Sequence, residues 1–292
     1  MADVTDRLCL LSVHAHPDDE SSKGAGSVAK YAAEGVHTVL VCCTGGEQGD
    51  ILNPAMDTPE VRANLPAVRQ RELEDAVRII GYDELVMLGY RDSGMPDSEA
   101  NADPRCFARA DLTEAVGRLV AIIRRTRPQV VVTYGDDQEG YPHPDHLRVH
   151  EVTMAALAAS GDPDAYPDEG EPWVVTKVYY SAWSRARIQA THEKFLELGL
   201  ESPFDDGWFA RPSQDDRITT RVDVAEFADV RPAALKAHAT QVDPTSKFWF
   251  GLPPEVARTV HPCDDYVLAA SEVPVQVPED DLFAGVRERV RR

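Results

Sequence analysis

No apolar run in the 292 residues approaches the roughly 20 needed to cross a bilayer. Residues 1–7 carry two Asp and lack the basic stretch and apolar core of a secretory leader. Cysteines are few, five in all. Their number is odd, no CxxC pair occurs, and three lie in apolar runs, which argues for reduced thiols and a cytoplasmic location rather than a disulfide framework. Basic side chains are scarce: 30 Lys and Arg stand against 50 Asp and Glu, a formal net charge of −20. That balance argues against sequence-independent binding to nucleic acid or to an anionic membrane, both of which need Lys/Arg surfaces. No internal repeat or low-complexity linker is visible. With 43% apolar residues the composition is near the globular norm. A chain of this length buries about three quarters of its unfolded surface and needs no staples. A small molecule is the partner left by these exclusions, and the oligomeric state stays open.

The order of patterns is informative. Buried-strand runs cover residues 7–13, 36–43, 84–88, 129–134 and 173–181, with helical spacing over 22–34, 64–80, 111–125 and 144–159 between them. Gly35 and Gly81 stand where helix C-caps are expected. This alternation predicts an α/β fold: a Rossmann-like, mostly parallel sheet with helices on both faces. Beyond it come a helix over 184–199, a loop over 202–216, a strand over 218–224 and a helix over 226–241 that Pro232 must kink or restart. The last fifty residues read as Pro-rich and irregular. The expected division is an α/β domain over 1–200 and a smaller C-terminal elaboration over 201–292 that packs over the strand ends.

Chemistry-bearing residues collect after strands, where open α/β sheets bind ligands. His14-Ala15-His16-Pro17-Asp18-Asp19-Glu20 follows the first strand, and Tyr141-Pro142-His143-Pro144-Asp145-His146 follows the one ending at Tyr134. Each holds His-Pro-Asp and a further potential ligand. A catalytic zinc site takes three protein ligands and leaves one position for water. His16, Asp19 and His146 would supply two imidazoles and a carboxylate, a set that suits Zn²⁺ and also Fe²⁺. Asp18 would be the base that takes the proton of the attacking water. His143 would donate to the leaving amine or to the developing oxyanion, with Asp145 orienting it. His14 reads as a core histidine. Thr44-Gly45-Gly46-Glu47-Gln48-Gly49-Asp50 is not GxGxxG and follows the second strand, so a dinucleotide loop is rejected; a pocket-lining loop with Glu47 facing inward is expected. Asp92 either caps the turn at 91–94 or binds a polar ligand, and both readings stand at this level. His238 and Gln241 could reach the site or fill the core. A non-catalytic protein with a closed structural zinc is the competing class, and the spare Asp18 argues against it.

AHPDDE (15–20) with YPHPDH (141–146) resembles the LmbE-like, or PIG-L, family of metal-dependent N-deacetylases. The likeness extends through TGGEQGDILNPAMD (44–57), KVYYSAWSRAR (177–187), AHATQVDP (237–244), FWFGLP (248–253) and DLFAGVR (281–287). It implies a metal-dependent hydrolase of amide bonds, with ligands His16, Asp19 and His146, the base Asp18, and His143 assisted by Asp145. It also implies that Tyr141 helps polarise the substrate carbonyl, that Arg69 and Asp92 contact sugar and inositol, and that Lys23 marks the pocket. ILNPAMD and the Lys of SSKG look more like the branch that cleaves mycothiol S-conjugates to mercapturic acids, a detoxifying or trimming step. The sister branch deacetylates N-acetylglucosaminyl inositol.

Overall fold

The first strand shows why the sheet forms. In β1 (Cys9–His14) the residues Cys9, Leu11 and Val13 enter one hydrophobic cluster and Leu10 the other. A strand buried on both faces belongs inside a parallel sheet covered by helices. The computed structural model describes residues 7–290, so most of the leader reading over 1–7 lies outside the described residues.

Helices α1 (Asp19–Ser22) and α2 (Ala25–Ala33) lead to β2 (His37–Thr44). Next, α3 (Pro59–Ala63) and α4 (Leu65–Ile80) lead to β3 (Glu84–Tyr90), and α5 (Glu99–Ala102) and α6 (Leu112–Thr126) to β4 (Val130–Thr133). Then α7 (Pro144–Ser160) leads to β5 (Lys177–Ala182). There follow α8 (Arg185–Glu197), α9 (Asp206–Ala210), β6 (Thr220–Asp223), α10 (Val230–Ala237), α11 (Lys247–Phe250), α12 (Pro254–Ala257), β7 (Cys263–Ser271) and α13 (Val286–Val290). The seven strands form one sheet in the order β3-β2-β1-β4-β5-β7-β6. The first five run parallel, while β7 is antiparallel to both β5 and β6. Helices α6 and α7 cover one face; α2, α4 and α10 cover the other. The expected mostly parallel α/β sheet is present. The strand order reverses between β1 and β4, and such a switch point opens a crevice beyond the carboxyl ends of the two strands.

Three local expectations are corrected. The helix expected over 22–34 breaks at Gly24, whose φ is +87°, so α1 ends and α2 restarts. The helix expected over 226–241 begins only at Val230, with Pro232 in its first turn, where a missing N–H leaves no intrahelical bond unmade. The last fifty residues, read as irregular, contain the nine-residue strand β7. Its first half carries Asp264 and Asp265, an unusual opening for a buried strand. Arg231 pairs with Asp264, Ser27 donates to it through N–H and hydroxyl at 3.0 Å, and His261 meets Asp265 at 2.7 Å.

A buried ion pair ties the C-terminal residues to the sheet. Lys177 Nζ donates to Glu279 Oε1 at 2.6 Å, with side-chain exposures of 0% and 3%. Tyr179 Oη donates to the other oxygen at 2.8 Å. Removing one partner of such a pair strands a buried charge. Lys177→Met is therefore expected to lower the unfolding free energy by about 3–5 kcal/mol in urea titrations. A loss below about 1 kcal/mol would count against a dry, fully engaged pair.

Candidate active site

Beyond β1 the chain turns through Pro17 into Asp18, whose φ is 112°. A residue with a Cβ rarely adopts this left-handed backbone; the cost is about 1–3 kcal/mol and persists only where the surroundings enforce it. Here they do. The Asp18 N–H donates to Glu20 Oε2 at 2.9 Å, and Ser21 and Ser22 donate their N–H groups to the Asp18 carbonyl at 3.1 Å. Glu20 is fully buried and is held by His238 Nε2 at 2.7 Å. Arg69 Nη2 reaches Asp18 Oδ2 at 3.2 Å while keeping the Pro17 carbonyl at 2.5 Å and, through Nη1, the Gly46 carbonyl. Gly46 is required there: its φ is +65°, and a Cβ would stand 2.4 Å from the guanidinium carbon. The Asp18 side chain keeps 32% exposure. Desolvation raises its pKa above the ordinary aspartate value, opposed chiefly by Arg69.

Asp19 Oδ2 lies 3.4 Å from His16 Nδ1 and 3.4 Å from His146 Nε2. Ligands about 2.0–2.1 Å from a tetrahedral zinc stand roughly 3.4 Å apart, so both spacings suit one ion. The other Asp19 oxygen accepts from Lys23 Nζ at 2.5 Å. Behind His16, Nε2 meets Asp145 Oδ2 at 3.2 Å and Asp92 Oδ1 at 3.6 Å. Carboxylates in that place hold the proton on Nε2 and leave the Nδ1 lone pair for a cation. Burial opposes a charged His16, but its hydrogen bonds to Asp145, Asp19 and Asp92 outweigh that and hold its pKa well above the usual value. A divalent cation at Nδ1 would compete with a proton for that lone pair.

Two overlapping sets each offer three ligand atoms within 4.8 Å of one another: His16, His143 and His146, and His16, Asp92 and Asp145. The second set lies on the Nε2 side of His16, so its carboxylates orient the imidazole. The first differs from the expected set by His143 in place of Asp19.

His143 caps α7, with Pro144 at the first helical position. The Asp145 N–H donates to His143 Nδ1 at 3.2 Å, which leaves Nε2 to carry the ring proton. Burial, with His16 and His146 nearby, pushes the His143 pKa down to about 4. At neutral pH it is an uncharged donor. The Asp145 carboxylate makes its hydrogen bonds elsewhere, to His16 and to the Ser93 N–H at 2.9 Å and hydroxyl. Asp145 reaches His143 by its backbone N–H and, through space, by its charge.

The other expected residues fall as follows. Tyr141 is 57% exposed beside His143 and His146, with ring centroids 6.1 and 5.5 Å away. Lys23, Tyr141 and His146 line a cavity of about 480 Å³ that continues to Trp183, Trp208 and Phe248. Glu47 accepts from the Asp92 N–H at 3.1 Å, and Asp92 accepts from Gly94 N–H at 2.8 Å. Asp92 therefore caps its turn and also faces His16. Arg69, expected to touch substrate, is 2% exposed behind Asp18. His14 is buried edge-on against Tyr134, with both ring nitrogens unpartnered, as suits a neutral core histidine. Glu20, Ser93 and the aromatic wall escaped the sequence reading. The last residue of AHPDDE was a signal for Glu20, whereas nothing local marks Ser93.

The geometry agrees with what the chain is similar to. The family model described as PIG-L: GlcNAc-PI de-N-acetylase matches residues 11–157. A mycothiol S-conjugate amidase of Streptomyces coelicolor is 45% identical over 98% of this chain and 99% of its own length. A 1D-myo-inositol 2-acetamido-2-deoxy-alpha-D-glucopyranoside deacetylase of Geodermatophilus obscurus is 41% identical over 95% and 97%. Among solved structures, an N,N'-diacetylchitobiose deacetylase of Pyrococcus horikoshii shares the fold with a TM-score of 0.60 at 17% identity, covering 89% of this chain and 83% of that one. Among the described residues, no helix is long and apolar enough to cross a membrane. With a strand-end histidine–carboxylate cluster and a full-length likeness to amide hydrolases, the chain belongs to the PIG-L family.

Proposed function

We propose that the chain is a zinc-dependent amidase for mycothiol S-conjugates, with His16, Asp19 and His146 holding the metal. A zinc ion there supplies a Lewis acid for the amide carbonyl and lets water ionise near pH 7. The protein's own groups do the rest. Asp18, on a backbone fixed by Glu20 and Arg69, takes a proton from the attacking water. Neutral His143 donates from Nε2 to the oxyanion as it forms, and Tyr141 stands beside it. The C–N bond then breaks, and the proton held by Asp18 passes to the leaving nitrogen. One water is consumed, and a carboxylic acid and a primary amine result. In a mycothiol S-conjugate these are an N-acetylcysteine thioether and glucosaminyl inositol. Residues 201–292 are read as the part that shapes the pocket, since Trp208 and Phe248 come from it.

The observation that carries the amidase reading over the deacetylase one is the cavity of about 480 Å³ beside Lys23, Tyr141 and His146. An acetyl group fills a small part of that space, whereas an N-acetylcysteinyl thioether uses it. The metal-loaded protein is expected to release amine from a bimane conjugate of mycothiol with kcat/KM at least about tenfold above that for N-acetylglucosaminyl inositol, a transition-state difference of 1.4 kcal/mol. The reverse ratio makes it the deacetylase. No release from either, with metal bound, makes the centre structural.

A further inference from the structure

We propose that Trp183, Trp208 and Phe248 form a subsite for a flat aromatic group carried on the sulfur of the substrate, an assignment that rests on the amidase reading and narrows it. The three residues come from separate segments: the residue after β5, helix α9 and helix α11. They nevertheless assemble. Phe248 stacks on Trp183 at 5.8 Å and 12°, and on Trp208 at 5.5 Å and 30°. Trp249 meets Phe248 edge-on at 4.7 Å. Arg211 lies 3.9 Å over Trp208 and Arg187 5.6 Å over Trp183, which steadies both indoles. Arg185 holds the Phe209 and Arg211 carbonyls, and Gln214 donates to the Asp137 carbonyl at 2.7 Å, so the segment carrying Trp208 is fastened to the rim of the reactive site.

All three rings are only half-buried. They face the same cavity as Lys23, Tyr141 and His146, and that continuity identifies the occupant. The glucosaminyl inositol half of a conjugate is a polyol, and the N-acetylcysteine half is an acetamide and the acyl carbonyl of the scissile amide. Each gains less from indole and phenyl surface than a planar apolar ring does, because hydroxyl and carbonyl groups must be dehydrated with it. The substituent on sulfur is the part of the molecule whose chemistry varies with the electrophile captured, and a planar one gains edge-to-face or stacked contacts beyond its area of burial. A second cavity of about 680 Å³ lies across the same wall, sharing Trp183, Phe248 and Trp249. The partition is thus built of rings facing space on both sides.

The test uses the full metal-loaded chain and three mycothiol conjugates whose S-substituents are bimane, n-hexyl and methyl. The wild type is expected to prefer bimane over both others in kcat/KM. In Phe248→Ala and Trp183→Ala the loss on the bimane conjugate should exceed that on the methyl conjugate by about tenfold or more, expressed chiefly in KM. Trp208→Ala, on the short helix α9, serves if either variant fails to unfold cooperatively on heating. Equal losses on bimane and methyl conjugates, or a hexyl conjugate as good as the bimane one, would overturn the subsite. If no conjugate is hydrolysed at all, the amidase reading fails separately. The subsite is then judged by binding of N-acetyl-S-bimanylcysteine, followed by quenching of tryptophan fluorescence. Binding at least about tenfold tighter than that of N-acetyl-S-methylcysteine, weakened in Phe248→Ala, supports it; equal binding of the two probes overturns it.

Discussion

Asp18→Asn is expected to lower kcat for amide hydrolysis by about 10²–10⁴-fold, the range that a positioned general base contributes, while bound metal stays at the wild-type level. Asn is nearly isosteric. Its side-chain oxygen can still accept from Arg69, and its backbone can still be held at φ 112° by the Glu20 carboxylate, since Asn tolerates left-handed backbone better than most residues. What disappears is the ability to take a proton from water and return it to nitrogen. Asp18 Oδ2 points to Arg69, whereas Asp19 faces the two imidazoles. Metal content measured by mass spectrometry on the purified variant separates the roles. An Asp18→Asn protein that has lost both metal and turnover would place Asp18 among the ligands.

The second large effect falls on metal content itself. His16→Ala should purify without stoichiometric metal and without turnover. His16 is the hinge of the centre: Nδ1 faces Asp19 Oδ2, and Nε2 is held between Asp145 and Asp92. Asp145→Asn tests the same architecture more gently. It leaves the three proposed ligands in place but removes the carboxylate behind the imidazole, a change that costs about 10–100-fold in metal affinity elsewhere. Competition with a fluorescent zinc chelator reads this directly. His143→Ala decides between the overlapping sets, because it should keep its metal. If His143→Ala loses metal and Asp19→Ala does not, the centre is His16, His143 and His146 instead.

How much of this was legible in the sequence depends on the reach of each contact. The strands and helices of the first 180 residues announce themselves because period and burial are local properties. The two His-Pro-Asp clusters are local as well, and their position after strands was enough to bring His16, Asp19 and His146 together on paper. Contacts across long stretches of chain were not readable. Glu20 finds His238 218 residues away, and Asp145 finds Ser93 52 residues away. The adjacency of Asp145 to His143 in sequence suggested a pair, yet the helix start at Pro144 turns the Asp145 carboxylate toward His16. Strand β7 is hidden in the sequence because Asp264 and Asp265 look like surface, and partners brought in by the fold, among them Arg231, Ser27, Ser184 and His261, make them interior. The break at Gly24 was missed because the apolar spacing continues smoothly across it.

The origin of the aromatic wall has a consequence for descent. Every side chain proposed to handle the amide lies within residues 11–157, the part matched by the family model, whereas Trp183, Trp208, Phe248 and Trp249 all lie beyond it. On the proposed roles, reaction and appetite are written in different stretches of the chain. Drift around 183, 208 and 248, as distinct from His238 that braces Glu20, can change which molecules are admitted without disturbing the machinery that cuts them, and lineages that share one chemistry can diverge in diet. For an engineer, a library that varies the three short segments around 183, 208 and 248 explores new substrates while leaving hydrolysis intact.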